Sequence, residues 1–217
     1  MKDDRMDEPT PPMTSSPTIF VIDDNPSVRK SIARLIRSAG MQAETFASAS
    51  EFLERVPGDQ PGCLVLDVKM PGFDGMDLQE HLARRPYAPP IIFVTGHGDI
   101  PMSVQAIKKG AVDFLTKPFH DEDLLNAVRQ ALARDQRERR SYQELCDIRH
   151  LVDTLTPRED DVFRQILTGK LNKQIADALG IAEKTVKVHR GRVMEKLRVR
   201  SVAELVHLAE KLNLTGG

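Results

Sequence analysis

Three unbroken apolar strings punctuate the first half of the chain: Ile19-Phe20-Val21-Ile22, Cys63-Leu64-Val65-Leu66 and Ile91-Ile92-Phe93-Val94. They have strand length and lack period-two alternation, the pattern of strands covered on both faces, as in a parallel sheet. Segments of helical period lie between them. The first has Pro26 near its start, Val28, Ile32, Leu35 and Ile36 on one face, and Gly40 as a stop. The second opens on a candidate capping box, Ser48 with Glu51. The alternation predicts an α/β fold, a doubly wound five-stranded parallel sheet with right-handed crossovers, its strands near 19–22, 43–46, 63–67, 91–95 and 113–116.

From Asp121 a helical stripe continues through Leu124, Leu125, Val128 and Leu132. RDQRERR (134–140) then reads as a solvated charged stretch, and apolar residues resume at Leu145, Ile148, Val152 and Leu155 in a short coiled-coil-like seam. Residues 121–153 are expected to form one long helix or two broken ones, with a flexible charged tether as the alternative. Beyond them the pattern is all-α. Thr156-Pro157-Arg158-Glu159 is a capping box followed by Val162, Phe163, Ile166 and Leu167, with Gly169 as the stop. Asn172 is expected to cap a second helix carrying Ile175, Ala176 and Leu179, ended by Gly180. A brief turn leads to a third helix near 183–197, and Ser201 with Glu204 opens a fourth. Two short helices around so tight a turn form a helix-turn-helix signature. The expected organisation is a disordered tail (1–16), an α/β domain (17–134), a helical linker (135–154) and a helix-turn-helix domain (155–217).

Charge sharpens this division. The 217 residues carry 31 Lys+Arg and 32 Asp+Glu, yet 17–134 has a net charge of −2 and 156–217 one of +4. A basic C-terminal part suggests a polyanionic partner. Hydrophobic residues make up 40% of the chain, enough for globular cores. No apolar run approaches the ~20 residues needed to span a bilayer, so no membrane segment is expected. The first sixteen residues are polar and proline-rich, unlike a signal peptide, and Cys63 and Cys146 fit no metal or disulfide spacing. A cytoplasmic location is expected.

In an open α/β sheet, ligands bind beyond the carboxyl ends of the strands. Those ends carry Asp23-Asp24, Asp67, Thr95 and Lys117-Pro118. Singly each is weak, since aspartate is a common turn former. Together they bring three carboxylates, a hydroxyl and an ammonium to one rim. Converging carboxylates repel unless a cation neutralises them, and a few hard oxygen ligands suit Mg²⁺. One carboxylate can then act as nucleophile toward phosphorus, with Thr95 and Lys117 donating to the phosphoryl oxygens. Asp67 is the best candidate, because it follows the central buried strand.

The pieces VIDDNPSV (21–28), LVLDVKMPGFDG (64–75), IIFVTGHGD (91–99) and DFLTKPF (113–119) resemble the CheY-like receiver domain of two-component response regulators. The resemblance spans 19–134, and TGHGDIPMSVQAIKKGAVDFLTKPF (95–119) is most similar to the FixJ-type subgroup. It implies strand order 2-1-3-4-5. It also implies Asp67 as phosphoacceptor, with Mg²⁺ bound by Asp24, Asp67 and the Lys69 main-chain carbonyl and by Asp23 through a bound water. A cis Lys117-Pro118 peptide is implied too. So is a switch in which Thr95 moves toward the phosphoryl group and Phe114 turns inward; the plainer alternative for Phe114 is an ordinary core aromatic. The face from about 100 to 117 would then dimerise.

The third C-terminal helix, EKTVKVHRGRVMEKL (183–197), holds five basic and two acidic residues. Val186, Val193 and Leu197 share its buried side, with His189 on the shoulder as a structural hydrogen-bonder. An exposed basic N-terminal half suits the DNA major groove. Taken alone, an ordinary solvated cationic face explains it as well. LTPRE (155–159) and NKQIADALGIAEKTVKVHRGRVMEKLRVRSVAELV (172–206) resemble the LuxR-type DNA-binding domain of the FixJ/NarL class. This implies Lys187 and Val188 facing bases, and Lys173, Thr185 and Arg190 facing phosphates. Gly191 stands where many relatives have a longer polar side chain, and Asp160-Asp161 makes the first helix more acidic than usual. The fourth helix is expected to pair two subunits.

The combined expectation is a phosphorylation-dependent DNA-binding transcriptional regulator and not an enzyme. A sensor histidine kinase donates the phosphoryl group, the homodimer binds double-stranded promoter sites, and RNA polymerase is a further candidate partner. A phosphatase-like hydrolase is one competitor, but such enzymes need a second carboxylate two residues after the nucleophile, where Lys69 stands. A module whose C-terminal helices bind protein alone is the other.

Overall fold

The computed structural model describes residues 16–56, 60–96 and 100–214, which form five strands and nine helices. The tail expected over 1–16 lies outside the described residues apart from its last position, and so do His97, Gly98 and Asp99 of the fourth strand motif. The chain divides into two compact units between Arg139 and Arg140.

In the first unit, β1 (Thr18–Ile22), β2 (Gln42–Phe46), β3 (Gly62–Leu66), β4 (Ile91–Thr95) and β5 (Asp113–Thr116) form one sheet in the order β2-β1-β3-β4-β5. Every neighbouring pair is parallel. Alternate residues of each strand face opposite sides, and helices cover both. On one side Phe20, Ile22, Leu64, Leu66 and Phe93 pack with Phe52 of α2 (Ala49–Arg55), Leu78 and Leu82 of α3 (Gly75–Ala83) and Ala106 of α4 (Ile100–Lys108). On the other, Ile19, Val21, Val65, Ile92 and Val94 meet Ile32 and Ile36 of α1 (Pro26–Ser38) and Leu124, Ala127, Val128 and Ala131 of α5 (Asp121–Asp153). Two-sided burial is why the strands read as unbroken apolar strings; each such side chain contributes about 1.5–3 kcal/mol.

The α5 helix is continuous over 33 residues, so the single-helix alternative holds and the tether does not. Its charged middle is not uniformly solvated, however. Asp135 is only 3% exposed, accepts the Tyr87 hydroxyl and the Gly62 amide (3.3 Å), and lies 3.6 Å from Arg139, whose guanidinium also stacks on the Tyr87 ring.

The second unit contains α6 (Pro157–Leu167), α7 (Asn172–Leu179), α8 (Glu183–Lys196) and α9 (Val202–Lys211) around Val162, Phe163, Ile166, Ile175, Val186, Val193, Leu197 and Leu205. The expected Thr156–Glu159 capping box is formed, and Ser201 caps α9 by accepting the Glu204 amide, while the Glu204 carboxylate takes the amide of Arg200 and not that of Ser201. The apolar seam of α5 is split in use. Of the residues expected in it, Val152 and Leu155, the latter just past the end of α5, pack on this core beside Leu151, whereas Leu145 is left 37% exposed.

Candidate functional site

The carboxyl ends of β1 and β3 lie side by side because Ile22 pairs with Leu66 in parallel register. Asp23 and Asp24 follow one strand and Asp67 the other, and Asp67 donates its amide to the Ile22 carbonyl at 2.8 Å. The turn after β1 is tied down on both sides. Asn25 caps α1 by accepting from the Ser27 and Val28 amides, and Arg29 donates to the carbonyls of Asp23 (2.5 Å) and Asp24 (3.0 Å). Beyond β3, Gly75 is required by close approach, since a Cβ there would lie 2.3 Å from the Asp67 carbonyl oxygen.

One carboxylate oxygen from each of Asp23, Asp24 and Asp67 falls within 4.8 Å of the others. Lys117 Nζ enters the group from the end of β5, 2.6 Å from Asp23 Oδ2 and 3.0 Å from Asp67 Oδ2. Asp23 Oδ1 accepts the Asn25 amide at 2.8 Å and Asp67 Oδ1 the Lys69 amide at 3.2 Å. Burial raises the Asp23 pKa above its ordinary value; the Lys117 hydrogen bond and the Asn25 amide work against that shift, and the Asp67 charge adds to it. Burial disfavours the Lys117 ammonium, but the hydrogen bonds it donates to Asp23 and Asp67 outweigh that and its pKa is raised. Three carboxylates against one ammonium leave an excess of negative charge in a partly buried rim. Hard oxygen donors in that state fit a divalent cation.

The other expected site residues of this unit are placed as follows. Thr95 is the last residue of β4, fully buried, and its carbonyl accepts the Lys117 amide at 2.8 Å. Phe114 is half-buried on β5, its ring 6.1 Å from that of Phe93. Lys69 is exposed, and the Lys117-Pro118 peptide is cis.

In the second unit, α7 and α8 are joined through Gly180, which takes a left-handed conformation (φ +64°) that suits glycine. Val186, Val193 and Leu197 are buried as expected, and Lys173, Thr185, Lys187 and Val188 are exposed. Lys187 lies 3.5 Å from Glu183. Arg190 is half-buried and donates to Asn172 Oδ1 at 3.0 Å. Asn172 is therefore not a cap: Leu171 holds the cap position, and the Gln174 side chain accepts its amide. Nor does the ring of His189 play the expected part, because its buried Nδ1 has no hydrogen-bond partner.

Sequence reasoning passed over the roles of Arg29 and Gly75 and took Asn172 for a helix cap. Arg29 had a readable signal, since a cation in the first turn of a helix opposes the macrodipole and must find acceptors outside it.

Two families match this chain. Residues 19–129 match the response regulator receiver domain, and residues 153–209 match the bacterial regulatory proteins of the luxR family. The chain belongs to the response regulators. It joins a receiver domain to a DNA-binding domain, and its relatives include proteins named as response regulators and transcriptional regulatory proteins. It is 48% identical over 197 residues to nodulation protein W of Bradyrhizobium diazoefficiens, covering 91% of this chain and 87% of that one. It is 40% identical over 202 residues to the transcriptional regulatory protein FixJ of the same organism, covering 93% and 98%. Among solved structures, the response regulator StyR is similar at a TM-score of 0.79 and 50% identity, covering 91% of this chain and all (100%) of that one. Among the described residues no helix is long and apolar enough to cross a membrane.

Proposed function

We propose that Asp67 accepts a phosphoryl group from a sensor histidine kinase and that this modification controls promoter binding by the second unit. The reading rests on one observation above others, the convergence of Asp23, Asp24 and Asp67 within 4.8 Å beside Lys117. An Asp67 carboxylate oxygen attacks phosphorus of the phosphohistidine. The P–N bond breaks, its electron pair stays with the imidazole, which takes up a proton, and an acyl phosphate remains on Asp67. Lys117 holds the attacking carboxylate and then the phosphoryl oxygens. Asp24, Asp67 and the Lys69 carbonyl would hold Mg²⁺ directly, with Asp23 acting through solvent. When bound, that ion supplies the positive charge that offsets the carboxylates and the incoming phosphate.

The switch proposed is Thr95 moving to the phosphoryl group while Phe114 fills the space behind it. The face from about 100 to 117 then joins two copies; Ile100, Val104 and Ile107 expose 80%, 45% and 46% of their surface there. Dimerisation brings together two DNA-binding domains, each weak alone, and raises their effective concentration at paired half-sites. Lys187 and Val188 read bases, and Lys173, Thr185 and Arg190 contact phosphates. We assign 17–134 as receiver, 135–154 as linker and 155–217 as DNA-binding domain, acting in the cytoplasm on double-stranded promoter DNA with RNA polymerase as a further partner.

Radiolabelled acetyl phosphate with Mg²⁺ tests the central step. The wild type should take up label and shift toward dimer in light scattering, and Asp67→Asn should do neither. Undiminished labelling of Asp67→Asn would overturn the assignment.

A further inference from the structure

The contact between Asn172 and Arg190 has no counterpart in the roles assigned so far. Arg190 projects from α8 toward the first turn of α7, where its Nη1 meets Asn172 Oδ1 at 3.0 Å. Neither electrostatics nor core packing recommends that position for a cation. The N-terminus of a helix carries partial positive charge, and its first amides have no intrahelical acceptor. Lys173 stands at the same end of α7, and no acidic residue lies in its first turn. The starts of α6, α8 and α9 do carry acids there: Glu159 and Asp160, Glu183, and Glu204. Among the described residues, neither Arg190 nor Lys173 has a carboxylate partner, and the remaining guanidinium N–H groups of Arg190 have no acceptor. A half-buried cation without a counter-ion, set at a helix end of the same sign whose first turn also bears Lys173, is an arrangement completed by an anion from outside.

On the reading of the second unit as a DNA-binding domain, we propose that Asn172 is a positioning residue for DNA. Its carboxamide oxygen takes one N–H of Arg190 and holds the guanidinium plane at the start of α7, so that its free donors face one DNA phosphate together with Lys173. A neutral acceptor suits this task better than a carboxylate. Aspartate at 172 would pair with Arg190 as an ion and compete with the phosphate, whereas asparagine orients the side chain and leaves its full charge available. Orientation in advance reduces the rotamer freedom that the arginine would otherwise lose on binding. Such a contact carries no base information, so it acts alike on all sequences.

The test is a double-mutant cycle on the full-length protein, treated with acetyl phosphate and Mg²⁺, binding calf-thymus duplex DNA across a salt series. Arg190→Ala should weaken binding and lower the slope of log affinity against log salt by about 1. Asn172→Ala should weaken binding roughly three- to tenfold in the Arg190 background and have no effect once Arg190 is alanine. Asn172→Gln, which keeps the carboxamide, should recover part of the loss. Additive losses would overturn the proposal, because the two side chains would then act separately. So would an Asn172→Ala protein that loses its helical circular dichroism, since the pair would then serve the fold. A wild type that ignores duplex DNA at low salt would instead defeat the DNA-binding reading itself.

Discussion

The Lys117 ammonium lies 2.6 Å from Asp23 Oδ2, joining the end of β5 to the end of β1 across 94 positions of sequence. This contact lets Asp23 ionise in a buried place. Asp23 is 2% exposed, and burial alone pushes its pKa upward. The same ammonium reaches Asp67 at 3.0 Å, so one cation serves two acids and leaves the site an excess of negative charge.

Two effects of opposite sign follow for Lys117→Ala. Phosphoryl uptake from acetyl phosphate should fall by on the order of a hundredfold, the usual loss when one preorganised donor to a charged transition state is removed. Mg²⁺ binding, followed by calorimetry, should become tighter, because three carboxylates would face the ion without a competing ammonium. If both quantities fell together, Lys117 would be supporting the architecture of the rim and not its charge.

The acidic rim was legible because topology does the gathering. In a parallel sheet every strand delivers its carboxyl end to one edge, so Asp23, Asp24, Asp67 and Lys117 could be grouped once the strands were recognised. The three central strands β1, β3 and β4 were recognisable because both of their faces are buried. Asp135 and Asn172 were misread for the opposite reason. Asp135 is buried by partners 48 and 73 positions away, Tyr87 and Gly62, and nothing in RDQRERR announces them. Asn172 fits the composition of a cap, but its oxygen is claimed by Arg190, 18 residues on, across a turn whose angle the sequence does not state. Local patterns reveal elements; the destination of a polar side chain depends on which distant group meets it.

Asp135 should therefore behave as a core residue. Replacing it by alanine strands the Gly62 amide and takes away an acceptor from the Tyr87 hydroxyl and a carboxylate from Arg139. Leaving buried donors unpaired costs about 1–3 kcal/mol each, so Asp135→Ala should lower the stability of the first unit by roughly 2–3 kcal/mol in urea unfolding. Asp147→Ala, an exposed position on the same helix, should stay within about 0.5 kcal/mol of wild type. Equal effects at the two sites would contradict the burial of Asp135.

Lys187 and Lys173 are both exposed lysines, yet they should fail differently. Lys187 stands on α8 one turn after Glu183, on the part of the helix proposed to enter the groove. Lys187→Ala should change base preference, by about 1–3 kcal/mol at one position of a selected site. Lys173, at the start of α7, should act through phosphate alone. Lys173→Ala should weaken every duplex alike and reduce the salt slope by about 1. Binding to a randomised duplex pool at several salt concentrations separates the two, and identical profiles would mean that α8 is wrongly oriented.

Acid should reach the second unit through Glu159. Its carboxylate is 3% exposed, accepts the Thr156 amide at 2.9 Å and lies 2.6 Å from Lys196 Nζ, which also donates to the Thr154 carbonyl at 2.9 Å. The Lys196 hydrogen bond first, and the Thr156 amide second, lower its pKa from 4.5 to about 2. A depressed carboxylate pKa means that the unfolded chain binds the proton more readily than the folded one. The contribution is complete above the unfolded value of 4.5 and is lost as pH falls toward about 2. Helical circular dichroism during acid titration should show Glu159→Gln with a lower plateau near neutrality and a shallower decline across that window. Lys196→Ala leaves the buried carboxylate without its cation, which costs about 3–5 kcal/mol for a fully buried pair. Because the Lys196 side chain is 34% exposed, water replaces part of that role, and a loss of roughly 2 kcal/mol is expected. The same acid profile in Glu159→Gln and wild type would show that another carboxylate governs the transition.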